Sequence, residues 1–235
     1  MSKKVFLAFI LTINIFVPLN LYAIVGENNA GENIEGVVND DNGNIKFKAD
    51  KVLFENKEKI HLEDNVNIVT EEGISVKTQA LDWDRSQGSV ESGEKVFIEK
   101  DKAFNAEGKG LAVDTNNKQA VLKKEVSVKI PQEDLGFIFV TCEGPLDIDY
   151  QNSKAVFYNN VEINNDDMKL YSDQAVIYFN SELKTIDKIV AEGNVRIVRG
   201  KNTSYSQKAT YVNLTKKITL EGEPRLILFP EKKIQ

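Results

Sequence analysis

Val126-Ser127-Val128-Lys129-Ile130 exchanges apolar for polar residues at every step, the period of a strand with one buried face and one wet face. The same cadence returns at Val66-Asn67-Ile68, Val96-Phe97-Ile98, Val161-Glu162-Ile163 and Val195-Arg196-Ile197. Taken in chain order, the leading valines of these five segments stand 30, 30, 35 and 34 residues apart. Spacing of that regularity marks one structural unit used repeatedly.

The other half of the unit lies upstream of each valine. Leu81-Asp82-Trp83-Asp84, Leu111-Ala112-Val113-Asp114 and Leu146-Asp147-Ile148-Asp149 each close on an acid 12 positions before the next valine. Val52-Leu53-Phe54-Glu55, Ile177-Tyr178-Phe179-Asn180 and Tyr211-Val212-Asn213 are looser copies. Polar spacers such as Arg85-Ser86-Gln87-Gly88, Thr115-Asn116-Asn117-Lys118 and Gln151-Asn152-Ser153-Lys154 read as hairpin turns. Helical periodicity is nearly absent, so the fold class is all-β. About six hairpin repeats are expected, giving roughly a dozen strands of about six to nine residues. A reversal signal after each strand favours antiparallel pairing over a parallel β-solenoid. The repeats run from about Ile34 to Phe229 as one continuous structure, with a softer joint near Ile130-Pro131-Gln132-Glu133-Asp134.

The chain opens Met1-Ser2-Lys3-Lys4, continues with an apolar run from Val5 to Val17, and reaches Leu21-Tyr22-Ala23 before turning polar. A basic start, an apolar middle and a small residue form an export signal over residues 1–23. The competing reading is an uncleaved inner-membrane anchor, which Asn14, Pro18 and Asn20 oppose. The chain is thus expected in the periplasm, where a protein of this size can do without disulfides. Its single cysteine, Cys142, reads as a small apolar residue in a strand.

Removing Lys3 and Lys4 takes the 30 basic residues to 28 against 36 acidic ones, so the net charge goes from −6 to −8. Nucleic acid is excluded as a partner, since binding it rests on clustered Lys and Arg. With one histidine, His61, and one cysteine, neither a Cys/His zinc site nor a Ser-His-Asp arrangement can be assembled. No catalytic residue, metal or cofactor is expected. Asp40-Asp41 and Asp166-Asp167 read as solvated turn caps, and Glu192-Gly193-Asn194 as the approach to a strand, where glycine relieves a backbone bend.

Leu170-Tyr171-Ser172-Asp173-Gln174-Ala175-Val176-Ile177-Tyr178, then residues 186–200 (IDKIVAEGNVRIVRG), then Lys208-Ala209-Thr210-Tyr211 and Ile218-Thr219-Leu220-Glu221-Gly222-Glu223-Pro224-Arg225-Leu226 carry a further signal. From about residue 140 to 229 the chain closely resembles the OstA-like (A-type) module of the lipopolysaccharide-transport (Lpt) periplasmic proteins. The region 34–130, from Phe47-Lys48-Ala49-Asp50-Lys51 through Leu62-Glu63-Asp64-Asn65-Val66, is similar to the C-type Lpt component. The resemblance implies a C-type β-region over 34–130 joined to an A-type β-region over 131–229. It implies an open β-jellyroll twisted into a trough, with lipid A acyl chains of lipopolysaccharide inside. It also implies docking to other Lpt components at the inner and outer membranes through open strand edges, with head-to-tail association of copies as a further form.

On the apolar phase of the strands, the acyl-chain lining is expected to be Trp83, Val113, Val128, Ile148, Ile163, Phe179 and Ile197. The assembly edge is expected at Arg225-Leu226-Ile227-Leu228-Phe229, bounded by Pro224 and Pro230, with the first strands near Ile34–Val38 and Ile45–Ala49 as the opposite edge. Two other readings stay open: a secreted structural or adhesive β-protein with a dry core, and a carbohydrate-degrading enzyme on a β-solenoid.

Overall fold

The computed structural model describes residues 34–229, apart from 41–42, 57, 72, 101–103, 133–135 and 181–184. The export signal or anchor expected over residues 1–23, and Asp41, lie outside the described residues.

Among the described residues, sixteen strands form one sheet. They are β1 (Ile34–Asp40), β2 (Gly43–Ala49), β3 (Lys51–Phe54), β4 (Lys59–Val69), β5 (Ile74–Asp84), β6 (Ser89–Lys100), β7 (Phe104–Asp114) and β8 (Gln119–Gln132). The second half comprises β9 (Gly136–Cys142), β10 (Leu146–Asp149), β11 (Lys154–Asn164), β12 (Lys169–Asn180), β13 (Thr185–Arg199), β14 (Asn202–Val212), β15 (Lys217–Glu221) and β16 (Arg225–Ile227). Every pairing is antiparallel and joins strands adjacent or next-but-one in the chain, so the solenoid reading is excluded. No helix occurs among the described residues.

The strands are longer than the sequence periodicity suggests, commonly 11 to 15 residues, because each repeat valine follows a bulge inside a strand and not a turn. Register shifts fall between Glu63 and Val66, Ser92 and Lys95, Tyr158 and Val161, and Glu192 and Val195. Asp64 and Asn65, Asn159 and Asn160, and Gly193 and Asn194 take positive φ there, which asparagine and glycine tolerate best. Asn65, Asn160 and Asn194 each donate a side-chain hydrogen bond to a neighbouring acid, Asp50, Glu143 and Asp173 respectively, at 2.6, 2.6 and 2.9 Å. The expected bend at Gly193 is present, but it sits within β13, and a Cβ there would run into the Asp173 carboxylate. A bulge bends its strand and raises its twist.

Aligned across the sheet, these bulges make a fold line that divides it into two layers. Layer one holds the β4, β6, β8, β11 and β13 segments after the bulge, and layer two those before it. Three full-length positions are broken at the line into separate strands. The strands β2 and β3 pair with the two halves of β4, β9 and β10 with those of β8 and β11, and β16 and β15 with those of β14. That is why sixteen strands are found where about a dozen were expected. The repeat valines Val66, Val96, Val126, Val161 and Val195 are all buried just past the line. A single sheet with one apolar face and no helix must cover that face with itself, so the layers fold together into an open β-jellyroll. The β8 strand runs through Ile130 and Pro131, so the softer joint expected there is strand up to Gln132.

Asp84, Asp114 and Asp149 end the strands before three of the turns and cap them. The Asp114 carboxylate accepts from Asn117 N and Nδ2 at 2.9 and 2.7 Å, and Asp149 likewise from Asn152 at 3.0 and 2.7 Å. Hydrogen bonds, from Ser86 to Asp84, from the Asn117 amide to Asp114 and from Asn152 to Asp149, hold all three carboxyls below their ordinary value. A folded pKa below the unfolded one gives stability that is complete above about pH 4 and lost as pH falls through the folded value. Replacing the three acids by asparagine should therefore flatten the acid limb of the urea midpoint plotted against pH. An unchanged limb would show that these caps contribute nothing to acid stability.

Candidate functional site

Register places the apolar residues of each layer in straight rows across the sheet. In layer one, Val128 faces Val140, Ile163 faces Leu170 and Ile197 faces Ser204, all on one inward row. In layer two, Ile60–Trp83–Val90–Val113–Ala120–Ile148 is the start of another. Six of the seven residues singled out from the sequence therefore fall on two facing rows. Trp83, Val113, Val128, Ile163 and Ile197 are buried, and Ile148 is half-buried against the same core. Phe179 stands apart: it is half-buried beside a register slip between Tyr178 and Phe179 and pairs with Ile186, off the row.

A second inward row of layer two changes character along the sheet. It reads Leu111–Leu122–Leu146–Phe157 and then Ala175–Ala191–Ala209–Leu220. Large side chains occupy the row as far as Phe157, and methyl groups replace them at the next three positions. A cavity of about 310 Å³ lies between the layers on the alanine side, within the size range of small-molecule sites. Ile138, Ile163 and Leu170 face it from layer one, and Ile189, Ala209, Tyr211 and Ile218 from layer two.

Local chemistry shapes the rim of this cavity. Asn165 Oδ1 accepts from the amides of Asp167 and Met168 at 3.1 and 2.8 Å, turning Met168, an adaptable apolar side chain, toward the space. The Tyr211 hydroxyl donates to Asn213 Oδ1 at 3.2 Å, which satisfies its polar end and leaves the ring to the cavity. Asp167, Arg199 and Lys216 supply charge only at the edge.

The polar phase faces outward, and several of its cations cover aromatic rings. Lys129 lies over Phe137 and Phe139 at 3.8 and 5.4 Å, and Arg196 over Tyr171 at 4.1 Å. Ile138 escaped the sequence reading for this reason: in Phe137-Ile138-Phe139-Val140 both faces are apolar, so alternation is invisible. His61 Nδ1 lies 2.6 Å from Asp82 Oδ1 on the outer face. Cys142 is buried in β9, and burial pushes its thiol pKa up. Among the described residues, no cluster of three His, Cys, Asp or Glu is placed to hold a metal ion.

The sheet order runs from β1 at one end to β15 and β16 at the other, with no pairing between the ends. Of the expected edge, Arg225–Ile227 forms β16 against Thr203–Tyr205 of β14, and Leu228 and Phe229 extend beyond it. Leu226, Ile227, Leu228 and Phe229 are all exposed.

Residues 34–130 match the family described as lipopolysaccharide-assembly, LptC-related, and residues 145–233 match the family described as LptA/(LptD N-terminal domain) LPS transport protein. The chain is also similar to the crystal structure of LptH, the LptA-homologous periplasmic component of the lipopolysaccharide transport device of Pseudomonas aeruginosa. That match has 13% identity and a TM-score of 0.31, over 67% of this chain and 95% of that one. No curated protein matches the chain. With family models matched in succession over both halves of its sheet, the chain belongs to the lipopolysaccharide-transport (Lpt) family of non-enzymatic carrier proteins.

Proposed function

We propose that this protein carries lipopolysaccharide in the periplasm by sheltering lipid A acyl chains between its two layers, and that it bridges inner- and outer-membrane Lpt components. The observation that carries the reading is the apolar cavity on the alanine side of Phe157, at the end where the sheet is open. Each acyl methylene removed from water gains about 0.8 kcal/mol, so several chains need no charged clamp. The inward rows extend this lining to Trp83, Val113, Val128, Ile148 and Ile197, with Phe179 at its margin. Upstream, leucines and Trp83 are buried in the same core. For that half the dry-core reading has a specific basis, and acyl chains reach it only if the layers part.

A photo-crosslinker tests both statements. Placed at Ile163, Ile189 or Tyr211 it should capture lipopolysaccharide, whereas outward placement at Lys129 or Glu162 should not. Capture at Trp83, Val113 and Val128 reports whether the upstream half opens. Yield at Ile163 should change less than about threefold from low salt to about 0.5 M, because screening barely touches apolar burial. Equal capture from both faces would sink the assignment.

A further inference from the structure

Two buried N–H groups of the upstream half have no acceptor among the described residues: Trp83 Nε1 and Arg85 Nη1. Trp83 is 3% exposed and Arg85 6%, so bulk water serves neither. In the hairpin of β5 and β6, Trp83 pairs with Val90 and Asp84 with Ser89. The Arg85 amide continues the ladder by donating to Glu58 O at 2.8 Å. Arg85 therefore follows Trp83 onto the inward face, two residues on, at the tip of layer two farthest from the fold line. A buried guanidinium without a carboxylate is among the costliest features a fold can keep. The neighbouring acids do not relieve it. The Asp84 carboxylate accepts from Ser86 Oγ at 2.6 Å and the Gln87 amide at 3.1 Å, and pairs with Lys59 at 3.4 Å. Glu58 meets Arg85 through its backbone carbonyl. Buried Thr115, at the same tip, gives its hydroxyl hydrogen to Gly88 O at 2.8 Å.

We propose that Trp83 and Arg85 form an anion site that takes the phosphate monoester of an amphiphile whose apolar chain lies between the layers. This rests on the carrier reading for its amphiphile and adds a site for the polar end. The guanidinium is a planar fork suited to oxyanions, and charge-assisted hydrogen bonds are the strong ones. Nη1 carries two N–H bonds and the indole a third. A phosphate monoester offers three terminal oxygens to them, whereas a carboxylate offers two. Position fits as well. Arg85 lies at the mouth between the layer tips, and Trp83 lies one inward position deeper, against the apolar core. A headgroup held at Arg85 thus leaves its chain directed inward. Acyl burial supplies the affinity, and these donors select for the charged end. Because both groups are buried, salt screens the contact little.

Trp83 is the only tryptophan of the chain, so its fluorescence reports the site directly. Dodecyl phosphate, kept below its micellar concentration, should shift that emission when titrated into the purified protein. It should bind at least about tenfold more tightly than dodecyl maltoside, because charge-assisted bonds are added to the same apolar chain. Dodecanoate should fall between the two. In R85M the advantage of the phosphate should vanish while maltoside binding is kept. The urea midpoint of R85M should hold or rise, since an apolar side chain replaces an unpaired buried charge. R85K keeps the charge but loses the fork, and should retain only part of the preference. Equal binding of dodecyl phosphate and dodecyl maltoside, or a preference that survives in R85M, would overturn the anion site and leave the carrier reading standing. Dodecanoate binding as tightly as the phosphate would overturn phosphate as its ligand. Inorganic phosphate that alone gives the full shift would overturn the amphiphile as its source. Binding of none of the three amphiphiles would overturn the carrier reading and this site together.

Discussion

Replacing Phe157 by alanine is expected to destabilise the fold by about 3–5 kcal/mol, the range for deleting a buried aromatic ring. Phe157 is only 2% exposed and is among the largest fully buried side chains. Its cross-strand neighbours are Leu146 on one side and Ala175 on the other. It therefore stands at the change from branched to methyl side chains, where Ala175 and Ala191 cannot close the gap left by a lost ring. Domains retain only about 5–15 kcal/mol of net stability, so the loss is a large fraction of the total. The urea midpoint should fall with little change in slope. A loss below about 1 kcal/mol would mean that the ring is not held between the layers.

The same residue shows what a single sequence discloses and what it hides. Apolar alternation marks which residues point inward, and Trp83, Val113, Val128, Ile148, Ile163 and Ile197 keep that phase in the folded sheet. The valine period is equally legible, because each repeat places a buried valine just past its bulge. Strand length is not, since a bulge sets two residues against one and breaks the alternation without ending the strand. Glu192-Gly193-Asn194 reads as the approach to a new strand for that reason, so the two halves of β13 look like separate elements. The cavity is hidden for another reason. Its lining comes from β9, β11, β12, β13, β14 and β15, and only cross-strand register, which no local pattern contains, brings residues such as Ile163, Ile189, Ala209 and Tyr211 together. Phe179 illustrates the converse: a strong apolar residue next to a register slip loses its place on the row.

Proline in the terminal strand should separate docking from folding, with the larger effect on docking. Successive residues of a strand send their N–H groups to opposite edges, so of Leu226 and Ile227 one donates to β14 and the other to the open side. Proline removes the donor at either position. The variant that loses the outward donor keeps the ladder to Thr203–Tyr205 but presents a broken edge to any incoming strand. The other weakens β16 itself, and its terminal segment should exchange amide hydrogens faster. Comparing L226P with I227P therefore identifies the outward residue by its effect. Because β16 has three residues, the loss of one outward donor removes much of the backbone available to a partner strand. Crosslinking yield to neighbouring Lpt components or to a second copy is expected to drop at least tenfold in the outward-donor variant, while its urea midpoint stays near wild type. Folded variants that both crosslink at wild-type yield would show that β16 is not the docking edge, and β15, the open strand of layer two, would be the next edge to break.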